Sequence, residues 1–278
     1  MASITDCVVE GLKYPFTDIK KLLGLGVLFA VFELLSMAFT IKSFDVTKAI
    51  IGTIEKTNAT ASTLNISQLP NMDMYLAFAI LIIGFIVVLF ILGYQYNVLD
   101  FSIRKKEELP GFGNVVEMFV RGVKYFIVSI IYAIPPMIVL FLAILVTGNS
   151  SIWPVLMLIS FALLVICYFL LIMALSNMVA HDSLKNAFDF RQIIDNISNL
   201  GWGKYIGTIL FTLIVFMIIN FAVGIILSFL TVMFAAAINN QAVVVSAFIT
   251  IIEALFISSY CSVFLNRVCG SVYRESVK

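Results

Sequence analysis

The stretch Tyr205 to Ile252, YIGTILFTLIVFMIINFAVGIILSFLTVMFAAAINNQAVVVSAFITII, contains no charged residue. One α-helix needs about 20 apolar residues to cross a bilayer core, so this run is too long for one crossing and fits two. Asn239-Asn240-Gln241 supplies a polar turn between them. The fifth span, Tyr205 to Phe234, is then long and is expected to tilt or to project beyond the hydrocarbon. The sixth runs from Val243 to Leu265.

Four further runs precede this pair, at Leu22 to Ile41, Tyr75 to Tyr96, Tyr125 to Thr147 and Ile152 to Ser176. The chain is 62% hydrophobic and 12% charged over 278 residues, whereas soluble domains are about a quarter charged. A soluble fold could not cover that much apolar surface. The expected fold class is all-α: a polytopic transmembrane bundle of six spans, one membrane domain over residues 1–278. The first run is full-length and lacks a small-residue cleavage site, so it reads as a retained anchor rather than a signal peptide.

Lys and Arg set the orientation, because cytoplasmic loops retain them. With both termini inside, fourteen basic residues fall on the cytoplasmic side and only Lys42, Lys48 and Lys56 outside. The expected location is the cell membrane, multi-pass, with cytoplasmic N- and C-termini. Asn-x-Ser/Thr sequons at Asn58, Asn65 and Asn149 fall outside in this topology and Asn196 inside. Cys7 and Cys269 lie inside and Cys167 and Cys261 within spans, so no disulfide framework is implied. The near-zero net charge, without a basic stripe interleaved with aromatics, excludes nucleic-acid binding.

The spans group as three hairpins, with approximate repeats at 1–110, 111–200 and 201–278. Each odd-numbered span follows a short amphipathic stretch ending in Gly, Lys and Tyr: Gly11-Leu12-Lys13-Tyr14, Gly122-Val123-Lys124-Tyr125 and Gly203-Lys204-Tyr205. Phe112, Val115, Val116, Phe119, Val120 and Val123 recur at helical spacing before the second, and Phe190, Ile193, Ile194 and Ile197 before the third. These read as cytoplasmic interfacial helices joined to the spans by elbows. Lys13, Lys124 and Lys204 read either as snorkelling anchors or as contacts to lipid phosphates or an acidic partner. Each even-numbered span ends in Asn followed two positions on by an apolar residue: Asn97 and Leu99, Asn177 and Val179, Asn266 and Val268.

From Gly93-Tyr94 through Glu108-Leu109-Pro110 and Gly122-Val123-Lys124 to Tyr132-Ala133-Ile134-Pro135, the chain resembles the membrane-protein family called domain of unknown function 4013. Tyr14-Pro15-Phe16 with Asp18, Gly201-Trp202-Gly203, and Gly270 with Tyr273-Arg274-Glu275 extend the resemblance over nearly the whole chain. It implies a polytopic prokaryotic, largely archaeal, membrane protein and carries over no activity or catalytic residue. The Ser/Thr/Asn-rich outer loop from Lys42 to Met74 departs from it.

Glu33 and Glu253 sit about midway along the first and sixth spans. An acidic group at a helix centre costs about 2.5 to 3.5 kcal/mol to insert, so both are expected to face the bundle interior. Asn220 is expected near the same level, with Pro135-Pro136 interrupting the third span. These residues form either a midplane proton or cation site or hydrogen-bonding groups that fasten helices. The chain holds no His-Glu-x-x-His, Walker loop, intramembrane Asp pair or Gly-x-Ser-x-Gly, and its one histidine, His181, lies in a loop. No enzyme activity, cofactor or metal site is expected. Two readings stand. The first is a non-enzymatic bundle holding membrane lipids or other membrane proteins. The second is a proton- or cation-coupled carrier of a small solute or lipid.

Overall fold

A computed structural model describes residues 4–57, 74–146, 152–237 and 242–277. Among these every regular element is helical, and six helices are long and apolar enough to cross a membrane: the chain is a multi-pass membrane protein. The Asn239-Asn240-Gln241 turn, the sequons at Asn58, Asn65 and Asn149, and residues 58–73 of the outer loop lie outside the described residues.

Helix α1 (Ile4–Lys13) is short and buries Cys7, Val8 and Gly11. A tight turn, Tyr14–Thr17, follows; Pro15 removes a backbone donor and Asp18 is extended, so the chain breaks before α2 (Ile19–Thr57). Then come α3 (Met74–Ile103), α4 (Val115–Leu145) and α5 (Ile152–His181). Helix α6 (Phe190–Leu200) buries Ile193 and Ile197 and ends at Gly201, whose φ of +91° few other residues adopt. Helix α7 (Trp202–Ala237) is followed by α8 (Ala242–Glu253), which passes through a π-helical turn at Ala254–Ser258 into α9 (Ser259–Ser276).

Several boundaries differ from the sequence reading: α3 and α5 run past Tyr96 and Ser176 to Ile103 and His181, so His181 ends a helix rather than lying in a loop, and three further differences shape the fold. The first span continues to Thr57 as helix, because residues 42–57 contain no proline and one glycine. The second amphipathic stretch is not a separate interfacial helix. With neither a proline nor a left-handed glycine to stop it, it runs unbroken through Gly122 into α4, starting at Asn114, whose side chain accepts from the Val116 and Glu117 N–H groups. Beyond Leu265 the last helix does not emerge as a polar tail but continues to Ser276, largely buried.

That burial defines the architecture. The C-terminal ends of α3, α5 and α9 touch one another pairwise, forming a three-helix hub at the end of the bundle that also carries the described N-terminus. We call this end the base. Leu99, Val179 and Val268, the apolar members of the three Asn-x-apolar signatures, are buried there in one cluster with Tyr96, Met178 and Phe264. Away from the base the helices separate. Between Ile152 and Leu171 α5 buries only Ser160, and between Leu213 and Phe234 α7 buries nothing.

Close crossings rest on glycines. A β-carbon on Gly93 would collide with the Met118 carbonyl oxygen, and one on Gly122 with that of Leu89, so α3 and α4 meet backbone to backbone. Gly26 of α2 is likewise seated on the Leu255 carbonyl in the π-helical turn.

Candidate functional site

The polar chemistry of the described residues collects at the base. The Glu10 carboxylate, on α1, accepts from two arginines of α9: Arg267 at 2.7 Å and Arg274 at 3.0 Å. Arg267 is 3% exposed, donates to the Lys106 carbonyl at 2.7 Å, and lies 4.0 Å from the centre of the Tyr14 ring. Burial pushes the Tyr14 hydroxyl up to about 12, against the lowering effect of that guanidinium. Arg267 Nε is buried without a hydrogen-bond partner. Sequence reasoning counted Arg267 as an ordinary inner-side charge. The available signal was the helical spacing of Cys261, Phe264, Val268 and Val272, which carries the apolar face past the expected end of the span.

The segment between α3 and α4 is held by its carbonyls. Tyr14 donates to the Glu108 oxygen at 2.7 Å, Lys21 to that of Leu109 at 2.8 Å and Tyr94 to that of Pro110 at 3.1 Å, while the Tyr94 ring stacks on Phe112 at 4.6 Å. The residues that carried the family resemblance are therefore the fastenings of this segment. Between it, the end of α3 and the start of α4 lies a pocket of about 180 Å³ lined by Asn97, Gly111, Gly113, Asn114, Glu117 and Arg121, among others. Arg121 pairs with Glu117 at 2.6 Å and donates to the Asn97 side-chain oxygen at 2.6 Å.

A second network ties α3, α4 and α5. Asp182, in a left-handed conformation just past α5, accepts from Tyr96 at 2.7 Å and from Lys124 at 2.9 Å. Those hydrogen bonds, Lys124 first, hold its carboxyl below the ordinary value of 3.8. A depressed folded-state value contributes stability above the unfolded value and loses it as pH falls through the folded one. The melting temperature of the wild type is therefore expected to fall, as pH drops below about 4, more steeply than that of Lys124→Met. Equal slopes in thermal scans would refute this linkage.

The expected midplane site is not gathered at one level. Gly26 stands beside Leu255 on an antiparallel neighbour, so Glu33 lies about 10 Å beyond that contact, away from the base, and Glu253 about 3 Å beyond it. Asn220 donates to its own helix at Phe216 and reaches Cys261 Sγ at 3.7 Å, about 12 Å nearer the base than Glu253. No hydrogen bond or ion pair joins any two of Glu33, Glu253 and Asn220. Both glutamates are partly exposed, and the π-helical turn begins directly after Glu253. The three elbow lysines also differ: Lys124 is engaged by Asp182, Lys13 is exposed and Lys204 partly buried.

Two apolar pockets open between spans. One of about 200 Å³ lies between α4 and α5 near Pro136, Ser160 and Tyr168, and one of about 330 Å³ between α2 and α3 near Phe39 and Phe85. A family model described as a protein of unknown function, DUF4013, matches residues 76–230. No curated protein and no solved structure matches the chain.

Proposed function

Because the chain belongs to the DUF4013 family, whose description assigns no activity, we propose its role from geometry: a non-enzymatic membrane scaffold that holds lipids or partner proteins. The observation that supports this reading is the division of the bundle. The base is interlocked by α3, α5 and α9, while the outward halves of α5 and α7 leave apolar surface uncovered and crevices open between spans. In a bilayer such surface is occupied by acyl chains or by another helix.

We place the base in the cytoplasm and the protein in the cell membrane. The base carries Lys13, Lys20, Lys21, Arg104, Lys105, Lys106, Arg121 and Lys124, which the positive-inside rule retains on that side.

One observation favours the carrier reading. A π-helical turn frequently marks a functional position, and this one adjoins Glu253 at the contact with Gly26. Proteoliposomes with an internal pH dye separate the two. A scaffold leaks protons no faster than empty vesicles, and Glu33→Gln and Glu253→Gln change nothing. Proton-gradient-dependent flux that either substitution abolishes, with the fold intact, would replace the scaffold reading by the carrier.

A further inference from the structure

We infer that the pocket between α3 and α4 is a headgroup site for a zwitterionic phospholipid, an inference that rests on the lipid-holding reading and names its ligand. The residues that line the pocket include one cation, Arg121, and one anion, Glu117, paired with each other at its mouth. A site of balanced charge discriminates against a simple anion and fits a ligand that carries both signs. The phosphate lies against Arg121 and the ammonium against Glu117.

The remaining wall is rich in donors. Asn97 is 9% exposed and spends its side-chain oxygen on Arg121, and its amide nitrogen donates to no other described residue. The backbone N–H groups of Gly111 and Gly113 likewise have no partner among the described residues, and a β-carbon on either glycine would meet nothing within 4 Å. Solvent-accessible backbone donors of Gly111 and Gly113, with the Asn97 side-chain amide, around an open volume suit phosphate oxygens. The wall is also preorganised, because the Tyr14, Lys21 and Tyr94 bonds hold the same segment from behind.

The pocket lies at the depth of a headgroup. Helix α4 has 31 residues, about 46 Å of helix against about 30 Å of hydrocarbon. Its far end is wholly apolar and its charges, Glu117, Arg121 and Lys124, lie at the base, so the surplus turns belong to the polar interface. On the neighbouring face of the helix, Val116, Val120, Ile127, Ile131 and Ile134 form an exposed stripe leading from the pocket's rim along the span. A headgroup in the pocket lays its chains along that stripe.

The test uses the full chain, delipidated and reconstituted in vesicles of phosphatidylethanolamine and phosphatidylglycerol, then re-extracted in mild detergent for native mass spectrometry. The wild type is expected to retain phosphatidylethanolamine. Arg121→Gln removes the cation, and Gly113→Leu fills the pocket without touching the core. Each is expected to lower the retained fraction about tenfold. Equal retention by the wild type and both variants overturns this site and leaves the lipid-holding reading standing. No retained lipid in the wild type overturns both. Equal preference for phosphatidylglycerol, or displacement by the tail-free glycerophosphoethanolamine at matching concentration, overturns the assignment of a zwitterionic lipid.

Discussion

Glu10→Gln is expected to destabilise the protein by about 3 to 5 kcal/mol, the range for breaking one side of a buried ion pair. Arg267→Met is expected to be milder, about 1 to 2 kcal/mol. The asymmetry follows from where the charges lie. The Arg267 side chain is 4% exposed, whereas that of Glu10 is 31% exposed. An arginine cannot shed its proton, so removing the Glu10 charge leaves Arg267 with only the Lys106 carbonyl and the Tyr14 ring against its buried cation, one nitrogen having no partner among the described residues. Removing Arg267 leaves a carboxylate still paired with Arg274 and within reach of water. Combining the two substitutions should therefore be less harmful than Glu10→Gln alone, a coupling that a double-mutant cycle reads directly. Thermal unfolding in detergent measures all three, and a milder Glu10→Gln than Arg267→Met would contradict this account.

Valine at Gly93 or Gly122 is expected to destabilise by about 3 kcal/mol or to prevent folding, at the upper end of the range for overpacking. The added carbon would meet a carbonyl oxygen of the facing helix, and backbone cannot turn aside as a side chain can. Helices α3 and α4 must then separate along the seam that buries Met118 and Leu89. Gly84→Val on α3 is the control, since nothing lies within 4 Å of its β-carbon, and it is expected to shift stability by no more than about 0.5 kcal/mol. Similar melting temperatures for Gly84→Val and Gly93→Val would show that the crossing is not glycine-dependent.

The spans were legible in the sequence because bilayer thickness converts directly into a length of apolar chain, and each of the six falls on a helix long and apolar enough to cross a membrane. The Asn-x-apolar signatures read as span ends, whereas the helices run on past them and Leu99, Val179 and Val268 meet in one buried cluster. Gly122 was misread because glycine serves both as a hinge and as a point of close helix approach, and local sequence does not distinguish these uses. What local periodicity cannot contain is partnership across the chain. Nothing near Glu10 announces that its partners lie beyond residue 260, or that Tyr14 will donate to Glu108. The headgroup pocket was missed for the same reason: it exists only once the segment between α3 and α4 is pinned by Tyr14 of the turn before α2, Lys21 of α2 and Tyr94 of α3.

The clasp between α1 and α9 also has a temporal meaning. Glu10 is separated from Arg274 by 264 positions, and Tyr260 donates to the Leu12 carbonyl across 248. A ribosome delivers the first helix long before the last. Until α9 is made, α1 lacks the Phe264 and Val268 side chains that seat Gly11 and the arginines that neutralise its carboxylate. A nascent chain therefore carries α1 first uncovered, then covered in part by α7, and with its carboxylate unneutralised by α9 until late in synthesis. The clasp therefore closes only after residues 260–274 have been made, so the pairing of Glu10 is a late event in synthesis.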